Sequence, residues 1–343
     1  PSARERGLLA PLWGWHMGHA DYEKIEVVGE GTFGVVTRAR VIKTGQEVAI
    51  KKIRKPSGKN GADLSTLRET MLLAELRHQH VIELKEAYSH NSALSLVFEF
   101  CVTDLEKILR DKTAPLDTSR IKGYLLGAFR GLAFCHANWV LHRDLKPGNL
   151  LLNASGCACA LRRRRGRRIT QPSLPSSSRP SPNPLPTLSQ PSNPARHVKL
   201  ADFGLARFYG SPGRKFTGQV VTRWYRPPEL LFGAKHYGPA VDLWSMGCIF
   251  AELMTRAPLF PGGSDIDQLS RVFSLRGTPT DESWPAVSKL PDYIQFKEVA
   301  PVPLPTRFPA ASPAALRLLG DLLSLDPEQR PSADEALAHA FFD

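Results

Sequence analysis

Apolar and polar positions along the chain divide it into a β-like first part and a helical second part. From Tyr22, Ile25, Val27 and Val28 lead into Gly29-Glu30-Gly31-Thr32-Phe33-Gly34, and Val35-Val36 follow. A polar turn (Lys43-Thr44-Gly45) precedes Val48-Ala49-Ile50-Lys51, so the order predicted is strand, glycine turn, strand, strand. After Asn60-Gly61, Leu64, Leu67, Leu72, Leu73 and Leu76 recur at helical spacing. Two more strands are predicted over Val81–Tyr88 and Leu94–Phe100. A helix is predicted from Thr118 to about Asn138, carrying Ile121, Leu125, Leu126, Phe129, Leu132 and Phe134 at helical spacing. Its Cys135-His136 reads as a core cysteine beside a polar-face histidine rather than a catalytic pair. From Asp242-Leu243-Trp244-Ser245 onward the chain reads as helices, the first apolar through Phe250 and Leu253.

Residues 154–197 break this pattern. They separate Leu150-Leu151-Leu152-Asn153 from Val198-Lys199-Leu200-Ala201-Asp202, two runs that look like the strands of one hairpin, whose connection normally takes 2–5 residues. Removing 157–196 leaves a short turn. Eight prolines, many serines and the run Arg162–Arg168 oppose a packed core there, so a disordered excursion is expected. Two readings of the excursion stand side by side: a nuclear-import or polyanion-binding patch, or a translated intron.

Composition then narrows the class. At 343 residues, 42% hydrophobic and 23% charged, the chain has enough apolar residues for a sizeable core. The net charge of +12 suggests a nucleic-acid partner until its distribution is examined. Segment 157–196 contributes +8 through eight arginines and no acid, leaving an ordinary +4 for the remainder. No eighteen-residue apolar run exists, so no membrane span is predicted. Pro1 to Ala20 lacks periodicity and a signal-peptide pattern, and reads as a loose tail. Five cysteines (Cys101, Cys135, Cys157, Cys159, Cys248), few and odd in number, favour a reducing intracellular compartment.

The chemistry concentrates in His142-Arg143-Asp144-Leu145-Lys146-Pro147-Gly148-Asn149, a polar loop between apolar runs. Asp144 can orient an acceptor hydroxyl and take its proton. Lys146 can neutralise charge on a moving phosphoryl group, and Asn149 can offer an oxygen to Mg2+. The glycine flap suits nucleotide phosphates, because glycine lets backbone amides approach closely. Lys51, ending an apolar strand, needs a carboxylate to stay ionised; Glu69 is favoured over Glu75. Asp202-Phe203-Gly204 supplies a second metal ligand. A phosphate on Thr217 would call for arginines, and Arg68, Arg143 and Arg207 are the candidates. Glu229 is expected to pair with Arg330.

Assembled, these residues resemble a eukaryotic serine/threonine protein kinase of the cyclin-dependent group. The resemblance covers about 21–343 apart from 157–196. Gly210-Ser211-Pro212, Phe216-Thr217-x-Gln219-Val220, Thr222-Arg223-Trp224-Tyr225, Gly262 through Leu269 and Leu290-Pro291-Asp292-Tyr293 look most like the kinase that activates cyclin-dependent kinases, in its plant and algal form. Ala133 to Asn138 and Phe296-Lys297-Glu298 also resemble the cell-cycle-related kinase. A third alternative is a catalytically impaired scaffold whose basic insert binds polyanions.

The resemblance implies an α+β fold of two lobes: a small β-rich N-lobe over 21–100 with one main helix, and a larger helical C-lobe over 101–343. It implies ATP and Mg2+ as cofactors. The nucleotide would meet Val28, Gly29, Gly31, Gly34, Val36, Ala49, Lys51, a hinge of Phe98, Glu99 and Cys101, then Asp104 at the ribose, and Leu151. Asn149 and Asp202 would hold the metal; Ser211 and Thr217 would be phosphosites. An H-type cyclin on the Arg68–Glu69 helix, an assembly-factor subunit and protein substrates are the implied partners, in nucleus or cytoplasm. Phe33 stands where cell-cycle kinases carry a regulatory tyrosine. Gly148, Pro227, Gly218 and the insert depart from the pattern, and none removes a catalytic group.

Overall fold

A computed structural model describes residues 18–31, 34–53, 64–90, 93–113, 115–153, 198–210 and 220–343. The β-branched first part forms an antiparallel five-stranded sheet of β1 (Tyr22–Gly31), β2 (Gly34–Val41), β3 (Glu47–Ile53), β4 (Leu84–His90) and β5 (Ala93–Glu99), in the order β1-β2-β3-β5-β4. Tyr22, Ala39, Val41, Val48, Ile50 and Val97 bury one apolar cluster on it. Gly31 stands opposite Gly34 across the glycine turn, and β1 slips register between Lys24 and Glu26 and again between Val27 and Gly29. Gly34 must be glycine. Its φ is +150°, and a Cβ there would lie 2.1 Å from the Lys52 carbonyl oxygen of β3.

The strand predicted over Val81–Tyr88 begins later, at Leu84, and runs to His90. Val81 and Ile82 are taken by a distant partner instead. Ile82 donates its N–H to the Leu200 carbonyl (2.9 Å), and Leu200 donates to that of His80 (2.9 Å). Strand-like residues pair with whichever edge the tertiary fold brings, and here that edge is Leu200, far along the chain.

The rest is mainly helical: α1 (Leu64–Glu75), α2 (Leu105–Arg110), α3 (Thr118–Ala137), α4 (Pro228–Leu231), α5 (Ala240–Thr255), α6 (Asp265–Arg276), α7 (Leu304–Arg307), α8 (Pro313–Leu322) and α9 (Ala333–Leu337). Caps explain several boundaries. The side chains of Asp104, Asp117, Ser264 and Ser332 accept N–H groups of the first turns of α2, α3, α6 and α9. Helix α5 is buried from Val241 to Leu253, with α3 and α8 packed against it. Arg330 forms a bidentate pair with Glu229 (2.6 and 2.8 Å), as the sequence leads one to expect, and lies over the Trp244 ring.

Five short strands complete the C-lobe: β6 (Thr103–Asp104), β7 (Val140–Leu141), β8 (Leu150–Leu152), β9 (Val198–Leu200) and β10 (Arg207–Phe208). Sheet β6-β8-β9 contains the expected hairpin, with Leu152 opposite Val198 and Leu150 opposite Leu200. The two runs pair in register although 154–197, which lies outside the described residues, separates them. Among the described residues no helix is long and apolar enough to cross a membrane.

Candidate active site

The loop 142–149 is fixed from beneath by Asp242 of α5. One carboxylate oxygen accepts the His142 N–H (2.9 Å) and faces His136 Nε2 (3.0 Å); the other accepts the Arg143 N–H (2.8 Å). Burial alone would raise the Asp242 pKa, but the His136 contact and these N–H groups hold it below the usual carboxylate range. His136 is therefore not on a polar face; its ring is 9% exposed and serves the buried carboxylate. Arg143 sits at φ +65°, a strained setting for a non-glycine residue, and its backbone bond to Asp242 holds it there. His142 uses both ring nitrogens: Nε2 donates to the Ala201 carbonyl (3.0 Å) and Nδ1 accepts the Asp144 N–H (3.3 Å). Its ring also meets buried Phe203 edge-on at 4.8 Å, tying the loop to the Asp202 turn.

Asp144 is thereby presented with its carboxylate engaged on two sides. Lys146 Nζ lies 2.7 Å from Oδ2, and Asn149 Nδ2 donates to the same oxygen (3.1 Å) and to the Asp144 carbonyl (2.8 Å). That use of Nδ2 leaves Asn149 Oδ1 as the acceptor a cation would need. Thr222 approaches the other oxygen, its N–H at 3.2 Å and its hydroxyl at 2.9 Å, and the hydroxyl is 3.3 Å from Lys146 Nζ. Asp202 adopts φ +63°, ψ +69° at the start of a 3-10 turn packed against α1. Its carboxylate receives Lys51 Nζ at 3.3 Å. Lys51 thus reaches a carboxylate, as its half-buried position requires. Glu69 lies on α1, but its side chain is outside the described residues, as are Gly31's surroundings.

These groups open on a cleft of about 1050 Å³ between sheet and C-lobe. Val28, Gly29, Gly34, Val36, Ala49 and Lys51 line it from the N-lobe, Phe98, Glu99, Cys101 and Asp104 along the connecting segment, and Leu151, Asn149 and Asp202 from the C-lobe. Burial, with Glu99 nearby, pushes the Cys101 thiol up to about 12, so it is a neutral lining group. Glu99 is anchored by Lys199 (2.5 Å) and by the Glu83 N–H (2.9 Å). Asp104 both lines the cleft and caps α2, accepting the Lys107 N–H at 2.8 Å. Apolar walls, a glycine-lined roof and a cation–carboxylate end fit a nucleoside triphosphate with a divalent cation.

Of the three arginines expected to gather a phosphate, Arg143 is firmly engaged elsewhere. Arg143 is 1% exposed, donating to the Leu205 carbonyl and the Tyr237 hydroxyl, both at 2.8 Å. A phosphate would reach it only after those bonds open. Burial raises the Tyr237 pKa, and the charges of Arg143 and Arg207 oppose the rise. Arg68's side chain, Ser211 and Thr217 lie outside the described residues.

Sequence reasoning missed three contributors. Thr222 stood out only within a family-like run, Asp242 only as a helix start, and Tyr237 not at all. Their partners lie 76–106 positions distant, so no local spacing announces them.

Residues 22–342 match the model of the protein kinase domain. Cyclin-dependent kinase D-1 of Arabidopsis thaliana is 46% identical over 94% of this chain and 71% of its own length. Cyclin-dependent kinase 7 of Xenopus laevis is 44% identical over 94% of this chain and 81% of its own. Cyclin-dependent kinase 20 of Mus musculus is 42% identical over 92% and 81%.

Proposed function

Since the chain belongs to the protein kinase family, and within it to the cyclin-dependent serine/threonine kinases, we propose that it phosphorylates serine or threonine followed by proline. The observation that carries the reading is the meeting of Asp144, Lys146, Asn149 and Thr222 beside a cleft that ends in Lys51 and Asp202. ATP with Mg2+ supplies the phosphoryl group and the charge that offsets its oxygens when bound. Asp144 receives the proton of the acceptor hydroxyl and orients it. Lys146, held 2.7 Å from that carboxylate, lowers the energy of negative charge developing beside it. Asn149 and Asp202 would hold the metal, and Lys51 would face the phosphates.

The proline preference follows from Val221. It adopts φ +67°, and its carbonyl accepts Arg226 Nη2 (3.0 Å) and Nε (3.3 Å). An acceptor at Asp144 brings the next substrate residue past Val221, because Thr222 itself touches Asp144. The committed carbonyl offers nothing to an incoming N–H, and proline alone has none to leave unpaired. The finer assignment carries over from the resemblance: the activation-loop threonine of other cyclin-dependent kinases and the C-terminal repeats of RNA polymerase II as substrates, an H-type cyclin on α1, an assembly-factor subunit, and the nucleus or cytoplasm as the place of action.

The test is phosphotransfer from ATP–Mg2+ to both kinds of peptide with an added H-type cyclin. Activity lost in Asp202→Asn and larger for Ser-Pro than Ser-Ala is expected. A chain that gives no ATP-dependent thermal shift, and instead binds polyanions in a salt-sensitive way through Arg162–Arg168, would support the scaffold reading.

A further inference from the structure

We propose that Gln268 is a positioning residue for the protein substrate, acting through the backbone of 222–226 to enforce proline after the acceptor. The inference rests on the proline-directed transfer proposed above.

Gln268 lies in α6 and is 0% exposed. Its amide is spent at both ends. Oε1 accepts the Gly262 N–H at 2.9 Å, and Nε2 donates to the Trp224 carbonyl at 3.3 Å. The ring closes through Trp224 Nε1, which donates to the Gly262 carbonyl at 3.2 Å. Gly262 can join only because it lacks a side chain: a Cβ there would lie 2.4 Å from Gln268 Oε1 and 2.7 Å from its Cα. One buried amide thus locks the strip 222–226 to the loop before α6.

The strip has three jobs. At one end Thr222 meets Asp144. In the middle Arg223 is fastened to Asp265 (2.8 Å) and to the Gly263 carbonyl (3.0 Å). At the other end Arg226 holds the carbonyls of Val220 (2.9 Å) and Val221 (3.0 Å). A β-branched residue does not keep φ +67° unaided. Val221 stays there because Arg226 grips its carbonyl, and Arg226 is placed both by Asp265 (3.4 Å) and by the strip that Gln268 helps to anchor. Without the anchor Val221 relaxes, its carbonyl is freed, and residues other than proline are tolerated after the acceptor.

A buried glutamine that merely fills space would, when replaced, weaken stability and every kinetic constant together. The two roles separate in a paired-peptide assay of the full chain with its activating cyclin, the peptides differing only by proline or alanine after the acceptor. Gln268→Glu keeps the acceptor for Gly262 but sets an oxygen against the Trp224 carbonyl; Gln268→Met removes both bonds at similar volume. The ratio of kcat/KM for the proline peptide over the alanine peptide is expected to fall about tenfold, with KM for ATP within about twofold of wild type. Amide exchange over 220–226 is expected to rise about tenfold. A proline-to-alanine ratio and an exchange pattern both unchanged in a folded variant would overturn the proposal, and Gln268→Glu supplies that variant if Gln268→Met does not fold. If wild type phosphorylates neither peptide, the proposed function falls, while the exchange measurement still decides whether Gln268 anchors the strip.

Discussion

Asp242→Asn tests how firmly α5 holds the catalytic loop. The native carboxylate accepts two backbone N–H groups at 2.8 and 2.9 Å and faces His136 at 3.0 Å, at 0% exposure. Asparagine removes the charge and turns one acceptor into a donor, which then points at a donor whichever way the amide is set. Losing one charge-assisted bond costs about 1.5–3 kcal/mol and leaving a buried N–H unpaired about 1–3 kcal/mol more, so about 4 kcal/mol in all. That is roughly a thousandfold in the folding equilibrium. Part of the loss falls on catalysis, because Arg143 at φ +65° keeps its strained backbone only while Asp242 grips its N–H. Asp144 follows directly. Urea unfolding at pH 7.5 with kcat on a Ser-Pro peptide checks both parts, with kcat expected to fall at least about tenfold. A loss below about 1 kcal/mol together with kcat within about threefold of wild type would refute the reasoning.

Four further outcomes follow from the same geometry. Gly148→Ala places a Cβ 2.8 Å from Glu106 Oε2, the far end of a flexible side chain, so the cost should stay below about 1 kcal/mol in urea unfolding, with kcat nearly unchanged. Glu229→Gln breaks the buried bidentate pair and leaves Arg330 uncompensated, which should cost about 3–5 kcal/mol by the same measurement. Burial lowers the His80 pKa from its ordinary 6.5, so the unfolded chain binds the proton first; stability is full above pH 6.5 and is lost as pH falls through the lower folded value. Unfolding midpoints at pH 7.5 and 5.5 should show this drop, and His80→Asn should shrink it. Deleting 157–196 shortens the link between Leu152 and Val198 roughly ninefold, and loop-closure entropy then predicts a gain of about 2 kcal/mol with β8 and β9 still paired.

The run 142–149, the glycine turn, Lys51 and Asp202-Phe203-Gly204 were legible in the sequence because each joins a rare residue order to a local backbone need. The hairpin joining Leu150–Leu152 to Val198–Leu200 was legible too, since two short apolar runs flank a segment whose composition opposes a packed core. The Glu229–Arg330 pair was legible from pattern as well, although the two residues lie far apart. The true start of β4 at Leu84 was not, because Val81 and Ile82 choose between two edges that exist only in the folded chain.

What the sequence by itself determined is therefore the inventory: which segments carry the carboxylates, cations and glycines that the fold gathers at the cleft. Their arrangement was decided only in three dimensions. Thr222 and Gln268 stand in family-like runs, Asp242 opens a helix and Tyr237 belongs to no motif, yet nothing local to any of them names the partner it meets in the catalytic loop or in the strip beside it. The physical reason is that a buried hydrogen bond is specified by the meeting of donor and acceptor from distant segments, and spacing along one chain encodes only neighbours on the same helix or strand.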